Sequence, residues 1–132
     1  MKLGIFGGSF NPVHCGHLIV AQDALDLFEL DEVLFTPCAA PAHKEAGDLA
    51  TAEQRLAMLD LAIEGDTRFS VNRLEIERGG VSYSIDTVRA LKARRTEDEL
   101  CFIIGGDTLP ELYSWKDIGA LLELCTFVTI AR

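Results

Sequence analysis

Lys2-Leu3-Gly4-Ile5-Phe6, followed by Gly7-Gly8-Ser9-Phe10-Asn11-Pro12-Val13-His14-Cys15-Gly16-His17, is the stretch from which the fold is read. The run from Lys2 to Phe6 is short and apolar and breaks at Gly7-Gly8, and from Gly16 onward Leu18, Ala21, Leu25 and Phe28 recur at helical spacing. The stretch predicts a strand, a glycine turn and a helix. Glycines in such a turn let the backbone approach a ligand closely. His17 falls at the helix start, where free N–H groups and the helix dipole favour an anion.

Downstream the same order repeats. Glu32 to Thr36 reads as a second strand and the Pro- and Ala-rich stretch from Pro37 to Ala50 as a loop. Thr51 followed by Gln54 is a capping box, and Leu56, Leu59 and Ile63 place an apolar stripe on a helix that Gly65 ends. Phe69 and Val71, then Leu74 and Ile76, alternate as in a strand, and Gly79-Gly80 marks a turn before a helix carrying Ile85, Val88 and Leu91. Leu100 to Ile104 is a continuous apolar strand that stops at Gly105-Gly106. A short helix from Pro110 to Trp115, a helix from Ile118 to Leu124 and a strand from Thr126 to Ala131 follow. Alternating strands and helices predict an α/β fold, Rossmann-like, with a mainly parallel sheet covered by helices on both faces. In such folds ligands sit at the carboxyl ends of the strands, near the topological switch point.

Composition narrows the function. A chain of 132 residues, 48% hydrophobic and 25% charged, is long enough to bury a core as one domain. No apolar run reaches the roughly 18 residues of a membrane span, and the start Met1-Lys2-Leu3-Gly4 lacks a signal peptide's apolar stretch, so a cytoplasmic protein without a membrane partner is expected. Cys15, Cys38, Cys101 and Cys125 are scattered and are expected to be reduced thiols. The net charge of −9 argues against a nucleic-acid partner, since a surface that neutralises a polynucleotide backbone carries a basic face. A small phosphorylated ligand remains compatible, because backbone N–H groups and a few local cations hold phosphate despite an acidic average. The oligomeric state stays open, a homo-oligomer included.

Several residues have two readings. His14 and His17 could present imidazole donors to one polyphosphate, whereas a histidine at a helix start is commonly a cap or a surface residue. With Cys15 their spacing is also compatible with a metal site, but no third ligand cluster is visible and the glycines suit phosphate better, so no metal is assigned. Lys44 follows an uncharged loop and could reach a phosphate or simply be solvated. Asp107 ends an apolar strand, where a carboxylate can accept from ribose hydroxyls or cap the helix that follows. Trp115, the lone tryptophan, is by itself a packing residue.

Gly8-Ser9-Phe10-Asn11-Pro12-Val13-His14-Cys15-Gly16-His17 resembles Gly-x-Phe-x-Pro-x-His-x-Gly-His, the signature of the HxGH nucleotidylyltransferase superfamily. Pro37-Cys38-Ala39-Ala40-Pro41-Ala42-His43-Lys44, Ser82-Tyr83-Ser84-Ile85-Asp86-Thr87 and Gly105-Gly106-Asp107 with Leu112 and Trp115 are similar to its nicotinate-nucleotide adenylyltransferase branch. The resemblance covers the chain and implies one nucleotidylyltransferase domain over residues 1–132. The implied reaction is adenylyl transfer from ATP, with the Mg²⁺ it carries, to nicotinate mononucleotide, giving deamido-NAD and pyrophosphate in NAD biosynthesis.

The resemblance also implies roles. His14, His17 and Lys44 would be catalytic; Gly8, Ser9, Phe10, His14, His17, Gly105 and Asp107 would bind ATP; Lys44, Ser84, Trp115, Lys116 and Arg132 would bind the mononucleotide. Trp115 would stack on the pyridine and Ser84 would help read its carboxylate, with helix N-capping the other reading of Ser84. Members of the branch carry a further Ser-Ser/Ala-Thr-x-x-Arg motif that grips the ATP phosphates. The sequence ends at Arg132 before reaching it, so a C-terminally truncated form is expected. Two rivals remain. One is a phosphopantetheine-type adenylyltransferase, which lacks the Gly-Gly-Asp and Trp115 arrangement. The other is a non-catalytic nucleotide-binding remnant, which the early end supports.

Overall fold

The computed structural model describes residues 1–40 and 49–130. Along the chain run β1 (Lys2–Gly8), α1 (Cys15–Leu27), β2 (Glu32–Pro37), α2 (Ala52–Ala62), β3 (Phe69–Val71), α3 (Leu74–Arg78), α4 (Ser84–Arg94), β4 (Glu99–Gly105), a 3-10 helix (Leu109–Ser114), α5 (Ile118–Leu124) and β5 (Thr126–Ile130). The strands form one sheet in the order β3-β2-β1-β4-β5, with every neighbouring pair parallel. This is the α/β, Rossmann-like architecture expected from the alternation.

The central strands carry apolar runs through their middles, as suits a sheet covered on both faces. Their side chains alternate between two cores. Val33, Phe35, Cys101 and Ile103 pack on one face with Ala21, Ala24 and Leu25 of α1 and Leu59 of α2. Leu3, Ile5, Leu34, Leu100 and Phe102 pack on the other with Ile85, Val88 and Leu91 of α4 and Leu121 of α5. Burying an aliphatic or aromatic side chain of this size contributes about 1.5–3 kcal/mol, which is what holds both helical layers down.

The capping box at Thr51 is present: its hydroxyl accepts from the Gln54 N–H at 3.1 Å, and the Gln54 side chain accepts from the Thr51 N–H at 3.1 Å. One expectation is corrected. The strand that begins at Phe69 ends at Val71, and Leu74 and Ile76 lie in the short helix α3. Asn72 makes the change, its side-chain oxygen accepting the Leu74 N–H at 3.2 Å and starting a turn.

From β1 the chain builds outward to β2 and β3, then crosses back to place β4 on the other side of β1. The carboxyl ends of β1 and β4 therefore flank a crevice, with Gly7-Gly8 on one rim and Gly105 on the other. The segment before α4 closes in beside it through a parallel bridge between Ala40 and Val81 and a Ser82 N–H bond to the Ala40 carbonyl at 3.4 Å. Among the described residues no helix is long and apolar enough to cross a membrane.

Candidate functional site

The turn after β1 ends in a helix cap made of two histidines. His14 is the N-cap of α1, and its Nδ1 accepts from the Gly16 N–H at 3.1 Å. His17, in the first turn, accepts from the His14 N–H at its own Nδ1 at 3.0 Å. The two rings stack with centroids 3.9 Å apart. A ring nitrogen that accepts from an amide carries no proton, so each neutral imidazole holds its hydrogen on Nε2, the edge turned away from the backbone. Capping and ligand donation are thus compatible, one nitrogen serving each.

His17 also leans on Phe10 and Phe6, with ring centroids at 5.0 and 5.9 Å. Burial, and then the charge of His14, pushes its pKa below the ordinary 6.5. At neutral pH His17 is a neutral donor rather than a cation. Gly16 is fixed by the same geometry, since a Cβ there would lie 2.9 Å from His14 Nδ1 and Cε1.

His14, Gly16 and His17 line one side of a cavity of about 460 Å³, and Gly105 and Asp107 line the other. A Cβ on Gly105 would fall 2.6 Å from Asp107 Oδ1, so glycine is what lets that carboxylate lie back over the end of β4. Asp107 does not cap the 3-10 helix, whose N-cap is Thr108.

A second cavity, of about 280 Å³, is lined by Gly7, Gly8 and Ser9 from the glycine turn, Cys38 after β2, Ser84, and Phe102 and Trp115. Phe6 and Gly105 belong to the walls of both cavities, so the two are neighbours across the carboxyl ends of β1 and β4. Trp115 packs edge-on against Phe102 and Phe127, at 5.6 and 5.9 Å between centroids, and still borders the cavity. Ser84 is the first residue of α4, with Tyr83 as N-cap, so the capping alternative for Ser84 is not what is found.

The remaining predicted residues fall as follows. Phe10 is 2% exposed and packs in the core, leaving only its backbone for a ligand. Lys116 borders neither cavity; its Nζ lies over the Tyr83 ring, 4.6 Å from the centroid. Lys44 and Arg132 lie outside the described residues.

Two charged groups near the site were not anticipated. Glu75 of α3 is buried at the wall of the smaller cavity and accepts from Thr87 Oγ1 at 2.7 Å. Burial raises its pKa above the usual 4.5 against the opposing pull of the Thr87 bond and the Arg78 charge. The buried Ser82 hydroxyl beside it falls short of a full hydrogen bond. Arg55 of α2 is 1% exposed and donates to the carbonyls of Ala50, Ser9 and Cys38 at 3.0, 3.0 and 2.6 Å and to Ala39 at 3.4 Å. Its signal in the sequence is its place on the stripe with Leu59 and Ile63, at spacings of four, where a surface arginine would not sit. Among the described residues no group of three His, Cys, Asp or Glu side chains is placed to hold a metal ion.

A family model described as cytidylyltransferase-like matches residues 5–132. The chain belongs to the cytidylyltransferase-like family. Within that family its similarity is to nicotinate-nucleotide adenylyltransferases. It is 47% identical over its whole length to a "Probable nicotinate-nucleotide adenylyltransferase" of Geobacter sp. strain M21, of which it covers 61%. It is 46% identical, again over its whole length, to the protein of the same description from Opitutus terrae, of which it covers 68%. The chain thus spans about 61–68% of the length of these relatives. In fold it is similar to the Plasmodium falciparum nicotinic acid mononucleotide adenylyltransferase complexed with NaAD, at a TM-score of 0.85 and 21% identity, covering 99% of this chain and 64% of that one.

Proposed function

We propose that this chain provides the nucleotide-binding and reacting region of a nicotinate-nucleotide adenylyltransferase, joining the AMP part of ATP to nicotinate mononucleotide with release of pyrophosphate. The observation that carries the reading is the pair of adjoining cavities at the β1–β4 crevice. One holds two oriented imidazoles and a carboxylate, the other an aromatic wall with a hydroxyl at a helix start. The first suits a ribose-bearing polyphosphate and the second a flat heteroaromatic ring. The similarity to relatives of this description supports the same reading.

In this reading ATP, with its Mg²⁺ arriving as part of the substrate, lies with its phosphates toward His14 and His17 and its ribose toward Asp107. The mononucleotide's pyridine lies against Trp115, its carboxylate near Ser84 and the first N–H groups of α4. Its phosphate attacks the α-phosphorus in line. A phosphate monoester with a second pKa near 6 is already largely dianionic at neutral pH, so no general base is needed. The protein's work is positioning, and stabilisation of charge on the phosphoryl oxygens by the Nε2–H donors, which the backbone caps hold in place before the substrate arrives.

A coupled pyrophosphate-release assay on this chain, run with nicotinate and with nicotinamide mononucleotide, tests the reading. A site of N–H and O–H donors pairs fully with a carboxylate but meets the carboxamide NH₂ donor to donor. Such a mismatch corresponds to a preference of about five- to a hundredfold for nicotinate. Binding of either nucleotide without pyrophosphate release would instead favour a non-catalytic domain.

A further inference from the structure

Arg55 holds a place in the site that its position on α2 does not suggest. Its guanidinium is enclosed behind the cavity wall. It donates to Ser9 in the glycine turn at 3.0 Å, to Cys38 and Ala39 after β2 at 2.6 and 3.4 Å, and to Ala50 at the start of α2 at 3.0 Å. Asn11 makes a second tie between the same parts, accepting the Ala50 N–H at 2.9 Å. Ser9 and Cys38 border the cavity while Arg55 does not, so the two loops lie between the guanidinium and the ligand space.

No carboxylate of a described residue pairs with Arg55. Burying a guanidinium is costly unless its N–H groups are satisfied, and here four backbone carbonyls accept from it. In a trans peptide the C=O and the N–H of the next residue point in opposite directions. Carbonyls drawn inward to Arg55 therefore turn the N–H groups of Phe10 and Ala39 away from it.

We infer that Arg55 is a positioning residue for anion binding: from behind the wall it sets the glycine turn and the loop after β2 in register and directs peptide donors outward to phosphate. The inference rests on the reading that this crevice takes phosphate-bearing nucleotides. It adds a group that touches no substrate. The fork of the guanidinium matters as much as its charge, since an ammonium group cannot span four carbonyls on three segments.

The test uses the full chain with inorganic pyrophosphate as probe, and the variants Arg55→Lys and Arg55→Met. Pyrophosphate affinity is expected to fall about ten- to a hundredfold in Arg55→Lys, where charge is kept and the fork lost, and further in Arg55→Met, with Arg55→Lys still folded by circular dichroism. The buried Cys38 thiol, protected in the wild type beside the exposed Cys15, is expected to react with a thiol reagent in both variants. A folded Arg55→Lys protein with unchanged pyrophosphate affinity and a protected Cys38 overturns the inference. Should neither variant fold, hydrogen exchange on the wild type decides: protection of the Phe10 and Ala39 amides by pyrophosphate supports it, and unchanged exchange at both overturns it. Pyrophosphate binding without binding of nicotinate mononucleotide would sink the functional reading alone. Binding of the mononucleotide by wild type and Arg55→Lys with equal affinity for both ligands would sink the inference alone.

Discussion

His14 and His17 cap one another's segment of backbone: the His14 N–H rests on His17 Nδ1 at 3.0 Å while the two rings stack at 3.9 Å. Protonation of His17 places a hydrogen on the nitrogen that must accept, so acid undoes the cap. Because burial and the His14 charge hold the folded pKa below 6.5, the unfolded chain takes up the proton first as pH falls. The contribution is therefore complete above pH 6.5 and is lost as pH drops from there through the folded value. A melting temperature that is level at neutral pH and declines below about 6.5 is expected, the cap being worth about 0.5–2 kcal/mol. His17→Gln keeps an acceptor of the kind a capping box uses and removes the titration, so its decline should be shallower. Parallel curves for the two proteins would assign the decline to other groups.

Gly16→Ala should separate stability from activity. The added Cβ would come within 2.9 Å of the His14 ring and push it off the Gly16 N–H. Alanine's gain of up to about 1 kcal/mol in a helix offsets much of the lost cap. Turnover is expected to fall about a hundredfold or more because the imidazole donor is no longer aimed. Thermal melts within a few degrees of wild type alongside normal pyrophosphate release would count against His14 as an oriented donor.

Trp115 packs against two phenylalanines and, in the proposed function, faces the pyridine, and one substitution can tell the two roles apart. Trp115→Ala removes its edge contacts with Phe102 and Phe127 and part of the cavity wall. A stability loss of about 2 kcal/mol is expected, smaller than for a fully buried tryptophan. Mononucleotide affinity should fall about five- to a hundredfold, as when a stacking ring is removed, with ATP affinity affected far less. Calorimetry with each nucleotide checks this, and equal losses for both would make Trp115 a packing residue only.

Glu75→Gln should stabilise the fold near neutral pH. Burial raises the folded pKa of Glu75 above 4.5, so the folded state holds the proton more tightly than the unfolded state. Its contribution is full below pH 4.5 and is lost as pH rises through the folded value, where an ionised carboxylate is left at the cavity wall. Glutamine can still accept from Thr87 Oγ1 without that charge. The gain of the variant over wild type should shrink as pH falls toward 4.5, followed as a difference in melting temperature. A variant less stable by the same amount at every pH would mean that the carboxylate's bonds outweigh its burial.

The fold was legible because β1 and β4 carry apolar runs that end at glycines, at Gly7-Gly8 and Gly105-Gly106, while a helix start such as Thr51 with Gln54 is recognisable. Leu74 to Arg78 was misread because two apolar residues two apart fit a strand as well as a single helical turn, and only the Asn72 side chain decides between them. The histidine pair was visible as a motif, though not the division of labour between its nitrogens, which depends on where two backbone N–H groups point. Glu75 and Arg55 escaped for one shared reason. Charged residues read as surface until the fold shows which helix face they occupy, and both sit on the face turned inward.

The crevice also divides the chain in sequence. Gly7, Gly8, Ser9, Cys38 and Glu75 on one side all precede the exposed turn at Gly79-Gly80, whereas Ser84, Phe102 and Trp115 follow it. A nucleotide seated there, as proposed, would touch an early half and a late half that also meet along the β1–β4 seam and through the packing of α4 and α5 on Leu3, Ile5 and Leu34. Two peptides cut at that turn would each carry part of the site, so a ligand that touches both parts would favour their association.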